Sequence, residues 1–140
     1  ALNHLHLITP DPILHLDVSS SNVLLAPSAS PRRWKAKLTG FIQATYLSQS
    51  ESPCSGNPFY NAPESCNPKL HSPKMDVFSF GVTLLEMCTG QFPNPEDRDQ
   101  VLHSLQWIAM AEIIELCIQK APQHRPAMKE IVVLLSKLNS

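Results

Sequence analysis

The chain has 140 residues, of which 43% are hydrophobic and 16% are charged, and its formal net charge is -1. This balance supplies enough apolar side chains for one folded core and too little charge for a disordered chain. The small net charge argues against nucleic acid or an anionic membrane surface as the main partner.

The first eight residues predict the end of a helix. Residues 1–8 alternate leucine with asparagine and histidine, and Pro10 then prevents a helix from continuing. The His4 and His6 pair has an H-x-H spacing, but on a helix these side chains point to different faces. The spacing therefore argues against a metal site at this end of the chain.

A serine-rich loop follows, enclosed by two short apolar runs at residues 13–16 and 23–25. The loop carries Asp17 and, five positions later, Asn22. Such a loop is either a plain turn, in which these side chains bond their own backbone, or a platform for a carboxylate and a metal ligand. Composition and spacing alone leave both interpretations open.

The next segments predict a small β-hairpin and a long loop. Residues 27–33 are rich in proline and serine and predict a turn, while residues 34–38 alternate apolar with basic residues, which is typical of a strand. Together with the apolar run at 23–25 they predict a hairpin. Residues 48–73 are rich in Pro, Ser and Asn and predict one extended loop, which in a compact domain is usually functional or mobile.

Helices dominate the second half of the chain. The stretch "DVFSFGVTLLEMCTG" is apolar on all sides of a helical wheel and predicts a buried central helix, with Asp76 as N-cap and Gly90 as its end. Two more helices are predicted at residues 108–118 and 126–138 from their apolar spacing. The apolar stretch at 77–88 is too short to cross a bilayer. The prediction is a mainly α chain with a small β element near its start.

The four cysteines give no sign of a metal site. No pair of them has the C-x-x-C spacing, and the last two lie inside apolar helical patterns; they are Cys54, Cys66, Cys88 and Cys117. This spacing argues against a zinc site. We therefore expect four free thiols, buried or incidental, and a reducing compartment.

Five segments in series resemble protein kinases of the tyrosine-kinase-like branch. In chain order they resemble the catalytic loop, the D-F-G metal loop, the A-P-E segment, the central helix and the closing helix; they read "HLDVSSSN", "KLTGFIQA", "GNPFYNAPE", "KMDVFSFGVTLLEMCTGQFP" and "RPAMKEIVVLL". Because the segments occur in the family's order and span nearly all 140 residues, they argue strongly against a chance match.

The resemblance implies an α+β fold, that of the helical C-terminal lobe of a kinase. Residues 1–140 would form one kinase-like domain, with the catalytic-loop region at 13–25, the activation segment at 40–64 and the helical core at 76–138. The glycine-rich phosphate loop and the lysine-bearing strand of the small lobe have no counterpart in this chain. We therefore expect the small lobe to be absent.

The resemblance also assigns roles to the residues of the loop. Asp17 matches the carboxylate that accepts the proton of the substrate hydroxyl, and Asn22 matches the ligand of the second magnesium. Gly40 stands where the family has the D-F-G aspartate, which holds the magnesium that bridges the β- and γ-phosphates. The metal-loop position is therefore degenerate, and Asn22 is the only metal ligand expected, if any.

Other matched positions are structural. Leu16 replaces the arginine that pairs with a phosphorylated activation loop, so phosphorylation at residues 40–64 should not act as the usual switch. The resemblance implies that His15 packs under the catalytic loop and that Glu64 forms a buried pair with Arg125. Asp76 matches the residue that accepts hydrogen bonds from the catalytic-loop backbone.

The expected function is that of a pseudokinase, a binding or scaffolding module in signalling that needs no cofactor as given. The first alternative is a serine/threonine or tyrosine kinase that uses ATP and magnesium once joined to its small lobe. The second is a non-functional gene fragment. We expect protein partners or a protein substrate, no nucleic acid, no membrane span in this chain and a cytoplasmic location, which includes the cytoplasmic part of a longer chain.

Overall fold

The computed structural model describes residues 1–29, 34–92 and 94–138. Five α-helices lie in this part of the chain, namely α1 (Leu2–His6), α2 (Lys74–Thr89), α3 (Arg98–His103), α4 (Ile108–Cys117) and α5 (Met128–Lys137). Four short strands accompany them, namely β1 (Ile13–Leu14), β2 (Val23–Pro27), β3 (Trp34–Leu38) and β4 (Thr45–Tyr46). The prediction of a mainly helical chain with a small β-hairpin near its start is confirmed.

The strands form two separate antiparallel ladders. Strands β2 and β3 make the predicted hairpin, with Val23 opposite Leu38 and Pro27 opposite Trp34. The turn predicted at residues 27–33 lies largely outside the described residues, since 30–33 are not among them. Strand β1 does not join the hairpin and pairs instead with β4. The loop of Asp17 and Asn22 thus connects the two ladders.

Helix α2 is the centre of the fold. Val77 and Val82 on this helix are fully buried, which agrees with its apolar sequence on all sides. Gly90 ends the helix in a left-handed conformation, with φ 67°, as predicted. The prediction of Asp76 as N-cap is wrong. The helix begins at Lys74, and Asp76 lies in its first turn. The Asp76 carboxylate accepts the backbone N–H of Leu16 and does not cap its own helix.

The remaining helices pack around α2 and enclose the core. Ile114 and Cys117 of α4 and Ile131 of α5 are fully buried, which confirms the two predicted helices to within two residues at each end. Helix α1 provides the predicted helix end at the start of the chain. The short helix α3 was not predicted, because its six residues offer only one buried side chain, Leu102.

The segment at residues 48–73 has more structure than the predicted extended loop. Short 3-10 turns at Leu47–Gln49, Pro63–Cys66 and Pro68–Leu70 break it into pieces. A disulfide joins Cys54 to Cys66, with the two Cα atoms 4.5 Å apart, so the expectation of free thiols is wrong at these positions. The turns fold the segment back on itself, and residues 12 positions apart in the sequence become neighbours. Cys88 and Cys117 are free.

Candidate functional site

The loop between β1 and β2 brings Asp17 and Asn22 into direct contact. A single 3-10 turn, Ser20–Asn22, carries the chain back toward Asp17. The Asn22 amide nitrogen donates to the backbone carbonyl of Asp17 over 2.7 Å and to the Asp17 carboxylate over 2.9 Å. The amide side chain therefore fixes the orientation of the carboxylate.

The second oxygen of the Asp17 carboxylate accepts a hydrogen bond from a residue 40 positions further along the chain. The backbone N–H of Asn57 donates to it over 3.2 Å. This contact depends on Gly56, which has φ 78°; a Cβ there would overlap the carbonyl oxygen of Leu16 and lie 3.3 Å from the Asp17 Cα atom. The segment that carries Gly56 and Asn57 therefore lies against the loop of Asp17, and Asp17 is half-buried beneath it.

Gly40 offers neither a carboxylate nor space for one. Its φ is 79°, in the left-handed region that disfavours residues with a Cβ. A Cβ at this position would come within 2.6 Å of three side-chain atoms of Asn22. The Asn22 side chain therefore fills the space from which a residue at position 40 would reach a metal ion.

The residues around this loop do not fit a magnesium–nucleotide complex. Magnesium takes six oxygen ligands in near-octahedral geometry, usually one or two carboxylates together with waters and phosphate oxygens. Here the oxygen donors are Asn22 and Asp17, and the Asp17 carboxylate already accepts two hydrogen bonds. Within residues 1–29, 34–92 and 94–138, no group of three or more His, Cys, Asp or Glu side chains is arranged to hold a metal ion.

His15 lies completely buried under the catalytic loop. Its Nε2–H donates to the carbonyl of Thr39 over 2.9 Å, while its Nδ1 accepts the N–H of Asp17 over 3.3 Å. The ring also packs edge-on against Phe41, with centroids 4.8 Å apart. The histidine therefore ties the catalytic loop to the chain just before Gly40.

Asp76 holds the same loop from the side of helix α2. Its two carboxylate oxygens accept the backbone N–H groups of His15 over 2.8 Å and Leu16 over 2.9 Å. His6 of helix α1 donates a third hydrogen bond over 2.9 Å. Leu16 has φ 63° and a buried side chain, so these bonds stabilise a backbone conformation that is uncommon for leucine.

Glu64 and Arg125 lie together at the far end of the activation segment. The guanidinium binds the carboxylate through two parallel hydrogen bonds of 2.5 and 2.9 Å, and both side chains are buried. Arg125 also donates to the backbone carbonyls of three further residues, Lys74, Gln119 and Lys120. The Phe78 ring lies 4.9 Å from the guanidinium carbon. The pair joins the segment to the start of α2 and to the chain before α5.

A second polar network, which the sequence did not predict, is centred on Tyr60. Tyr60 donates from its hydroxyl to Glu86 of α2 over 2.7 Å and lies 3.2 Å from the Ser20 hydroxyl. Burial, followed by the hydrogen bond to Glu86, raises the pKa of Tyr60 above its ordinary value of 10.0. Only tertiary structure brings these three residues together. The roles of His6 and Asn57 were missed for the same reason, since their partners Asp76 and Asp17 lie 70 and 40 residues away in the sequence.

A helix that crosses a bilayer must be both long and apolar. No helix found in residues 1–29, 34–92 and 94–138 has both properties.

The chain is similar over nearly its whole length to several plant proteins. Protein STRUBBELIG-RECEPTOR FAMILY 5 of Arabidopsis thaliana is 33% identical over 167 residues, which cover 99% of this chain and 23% of the relative. The Arabidopsis receptor-like protein kinase HAIKU2 is 31% identical over 168 residues, or 98% of this chain and 17% of the relative. A probable inactive leucine-rich repeat receptor-like protein kinase from the same plant is 29% identical over 178 residues, or 98% of this chain and 25% of the relative.

The chain thus spans about a quarter of these relatives or less. The first alignment runs over 167 positions, whereas the chain has 140 residues. The matched part of that relative is therefore longer than the chain. The sequence profile of the protein kinase domain matches residues 1–138. The chain therefore belongs to the protein kinase domain family.

Proposed function

We propose that this chain is the C-terminal lobe of a pseudokinase domain, which serves as a binding or scaffolding module in signalling and does not transfer phosphate. Residues 13–25 are its catalytic-loop region, residues 40–64 its activation segment and residues 76–138 its helical core. One observation carries the proposal. Gly40 stands in the metal-loop position, and the Asn22 side chain occupies the space that any larger residue there would need.

The lost carboxylate would matter more than any other single change. Phosphoryl transfer depends chiefly on positioning and on neutralising the charge of the phosphates, which the metal ions supply. Removing one such electrostatic group costs on the order of 100–1,000-fold in rate. Asp17 would remain as a proton acceptor and Asn22 as one oxygen ligand for magnesium, but position 40 would offer the metal no side chain.

The ordinary means of activation is also lost. In this proposal Leu16 takes the place of the arginine that binds a phosphorylated activation loop, and its side chain is buried in the apolar core beside Leu14 and Tyr60. An apolar, buried side chain cannot pair with a phosphate. Phosphorylation of the activation segment would therefore not order this domain in the usual way.

A second candidate function is phosphotransfer by the complete kinase domain, with ATP and magnesium as its cofactors. The contact between Asp17 and Asn22 favours it, since that pair has the arrangement that a catalytic loop needs. Relatives named as receptor-like serine/threonine-protein kinases also favour it, whereas one relative is named as probably inactive. In either case the partners or substrates are proteins. We infer a cytoplasmic location, which includes the cytoplasmic part of a longer chain, from the protein kinase domain family to which the chain belongs.

Activity decides between the two candidates. The full-length protein is incubated with radiolabelled ATP, magnesium and a generic protein substrate, beside the variant Asp17→Asn. We expect equal, background transfer by both proteins, and no thermal shift on adding millimolar magnesium-ATP. Transfer that is at least tenfold above that of Asp17→Asn, or a thermal shift that Asn22→Ala abolishes, would show a working site and favour the kinase.

The scaffold role is tested by complementation in an organism that lacks the gene. A module that acts by binding needs the fold but not the proton acceptor, so Asp17→Asn should restore function as well as the wild type. Arg125→Ala, which disrupts the fold, should not restore it. A failure of Asp17→Asn at normal protein abundance would overturn the scaffold role.

A further inference from the structure

The disulfide between Cys54 and Cys66 lies on the surface of the activation segment. Both cysteines are exposed, and 12 positions separate them in the sequence. An exposed disulfide is accessible to thiols and to larger reductants. In a glutathione-buffered compartment, disulfides are rare, and those that form are usually transient, catalytic or redox-sensing. The pair is therefore of a kind that can open and close.

The carbonyl of Ser65 fixes both ends of the loop that the disulfide closes. It accepts the backbone N–H of Cys54 over 3.0 Å and the Nε2–H of His71 over 2.9 Å. Ser50, just before the loop, donates from its hydroxyl to the Nδ1 atom of the same histidine over 2.7 Å. These bonds align the two ends from the buried side of the loop, and the disulfide adds a covalent constraint on its exposed side.

The loop leads directly to Asp17. Cys54 is followed two residues later by Gly56, which packs on the backbone of Leu16, and then by Asn57, whose N–H binds the Asp17 carboxylate. Cys54 itself has φ 53°, a left-handed conformation that residues with a Cβ seldom adopt. The backbone at Cys54 is thus held in a disfavoured state at the point where the segment turns toward the catalytic loop.

We propose that Cys54 and Cys66 form a reversible redox clasp, which holds the activation segment over Asp17 when oxidised and releases it when reduced. Reduction removes the covalent constraint, and Cys54 can return to the right-handed or extended conformations that it prefers. Gly56 and Asn57 then lose their fixed position on the catalytic loop. The clasp rests on the proposed cytoplasmic location but not on the loss of phosphotransfer.

The chemistry requires a small-molecule disulfide such as oxidised glutathione. The Cys54 thiolate attacks one sulfur of that disulfide, forms a mixed disulfide and releases one glutathione thiolate. The Cys66 thiolate then attacks the Cys54 sulfur and releases the second glutathione. Two protein thiols lose two protons and two electrons, and one glutathione disulfide becomes two thiols. An excess of reduced glutathione drives the same steps backwards.

Thiol counting tests whether the clasp forms. The full-length protein is equilibrated over a series of glutathione ratios, quenched, denatured and alkylated, and the peptides are identified by mass spectrometry. We expect Cys54 and Cys66 to change together from alkylated to disulfide-linked within the range of cellular ratios. Alkylation of both cysteines at every ratio, or a disulfide that no cellular ratio reduces, would overturn the proposal.

Hydrogen exchange tests what the clasp holds. On reduction we expect the peptide amide of Asn57 to exchange about 10- to 100-fold faster, because a cross-link over a loop of this length stabilises by a comparable factor. Cys54→Ser and Cys66→Ser should exchange at the fast rate under all conditions, and Cys88→Ser should behave as wild type. Equal exchange in oxidised and reduced protein, and in Cys54→Ser, would show that the disulfide does not hold the segment.

The transfer assay with radiolabelled ATP, run in both redox states, separates this inference from the proposed function. Background transfer in both states together with unchanged exchange removes the clasp and leaves the pseudokinase standing. Transfer above that of Asp17→Asn together with redox-dependent exchange keeps the clasp and removes the pseudokinase.

Discussion

The two ends of the activation segment show opposite degrees of completeness. At one end, Arg125 makes five hydrogen bonds, two to Glu64 and three to backbone carbonyls, and both side chains are excluded from water. At the other end, Asp17 and Asn22 hold each other in a half-exposed loop beside Gly40, which contributes no polar side chain. We call the end at Glu64 and Arg125 the scaffold end, and the end at Asp17, Asn22 and Gly40 the chemical end. The two charged side chains of the scaffold end are paired with each other, whereas Gly40 brings no side chain to the chemical end.

Burial explains why the two ends differ in what they tolerate. A buried charge without its partner costs several kcal/mol, so a substitution at the scaffold end would strongly destabilise the domain. A half-exposed loop keeps access to water, and a missing metal ligand there costs catalysis but little folding free energy. The absence of a carboxylate at position 40 is therefore compatible with a stable fold.

The largest expected effect is at the scaffold end. Arg125→Ala leaves Glu64 buried and unpaired and deprives three carbonyls of their donor, so we expect a loss of roughly 3–5 kcal/mol in the free energy of unfolding. The loss is measured from denaturant midpoints, with Glu64→Ala expected to lose a similar amount.

Two exposed charges serve as controls for this pair. Lys129→Ala and Glu112→Ala remove exposed side chains of α5 and α4, and we expect each to change the free energy of unfolding by less than about 0.5 kcal/mol. A loss below about 1 kcal/mol for Arg125→Ala would be typical of a surface pair and would remove the contrast between the two ends.

An intermediate effect is expected at Gly40. Gly40→Ala must adopt a left-handed conformation, which costs about 1–2 kcal/mol, and must displace Asn22 from Asp17, which costs about 1 kcal/mol more. Gly40→Asp should be destabilised at least as much. Restoring the carboxylate, alone or together with Ile42→Gly, should therefore not raise phosphate transfer by as much as tenfold.

Gly90 provides the matched control for the backbone term. It also has a positive φ, 67°, but no atom lies within 4 Å of the position its Cβ would take. Gly90→Ala should thus lose only the conformational part, about 1–2 kcal/mol. If Gly40→Ala and Gly90→Ala lose the same amount, Asn22 does not obstruct position 40. Robust transfer by Gly40→Asp with Ile42→Gly, lost again on adding Asp17→Asn, would show a kinase close to activity.

Local patterns in the sequence were sufficient for most of the fold. The buried central helix, the two helices after it and the strand at 34–38 follow from apolar periodicity, and Gly90 follows from the preference of helix ends for glycine. Asp76 was misplaced as an N-cap because a local rule was applied to a side chain with distant partners. Its carboxylate binds backbone N–H groups about sixty residues away, at His15 and Leu16.

Features that depend on folding back of the chain were beyond sequence reasoning. The spacing of Cys54 and Cys66 carries no metal signature and gives no indication that turns bring the two together. Likewise, the missing carboxylate at Gly40 is visible in the sequence, but the obstruction by Asn22 is not, since it depends on the left-handed backbone at that glycine. Residue types were predictable from motifs, and the space around them was not.

The smallest expected effect lies between the two ends, where Tyr60 links the activation segment to α2. Tyr60→Phe removes the hydrogen bonds to Glu86 and Ser20 and should cost about 1 kcal/mol near neutral pH.

Because folding raises the pKa of Tyr60, the folded state favours the protonated hydroxyl. That contribution is fully present below pH 10.0, the ordinary pKa of tyrosine, and is lost as the pH rises through the higher pKa of the folded state. The difference in unfolding free energy between wild type and Tyr60→Phe should therefore be constant up to about pH 9 and shrink above it. Tyr46→Phe, at an exposed position, controls for the loss of a hydroxyl and should change the free energy of unfolding near neutral pH by less than about 0.5 kcal/mol. A difference that widened above pH 10.0 would mean that the folded state prefers the tyrosinate. The contact between Tyr60 and Glu86 would then not be the donor–acceptor pair that links the activation segment to α2.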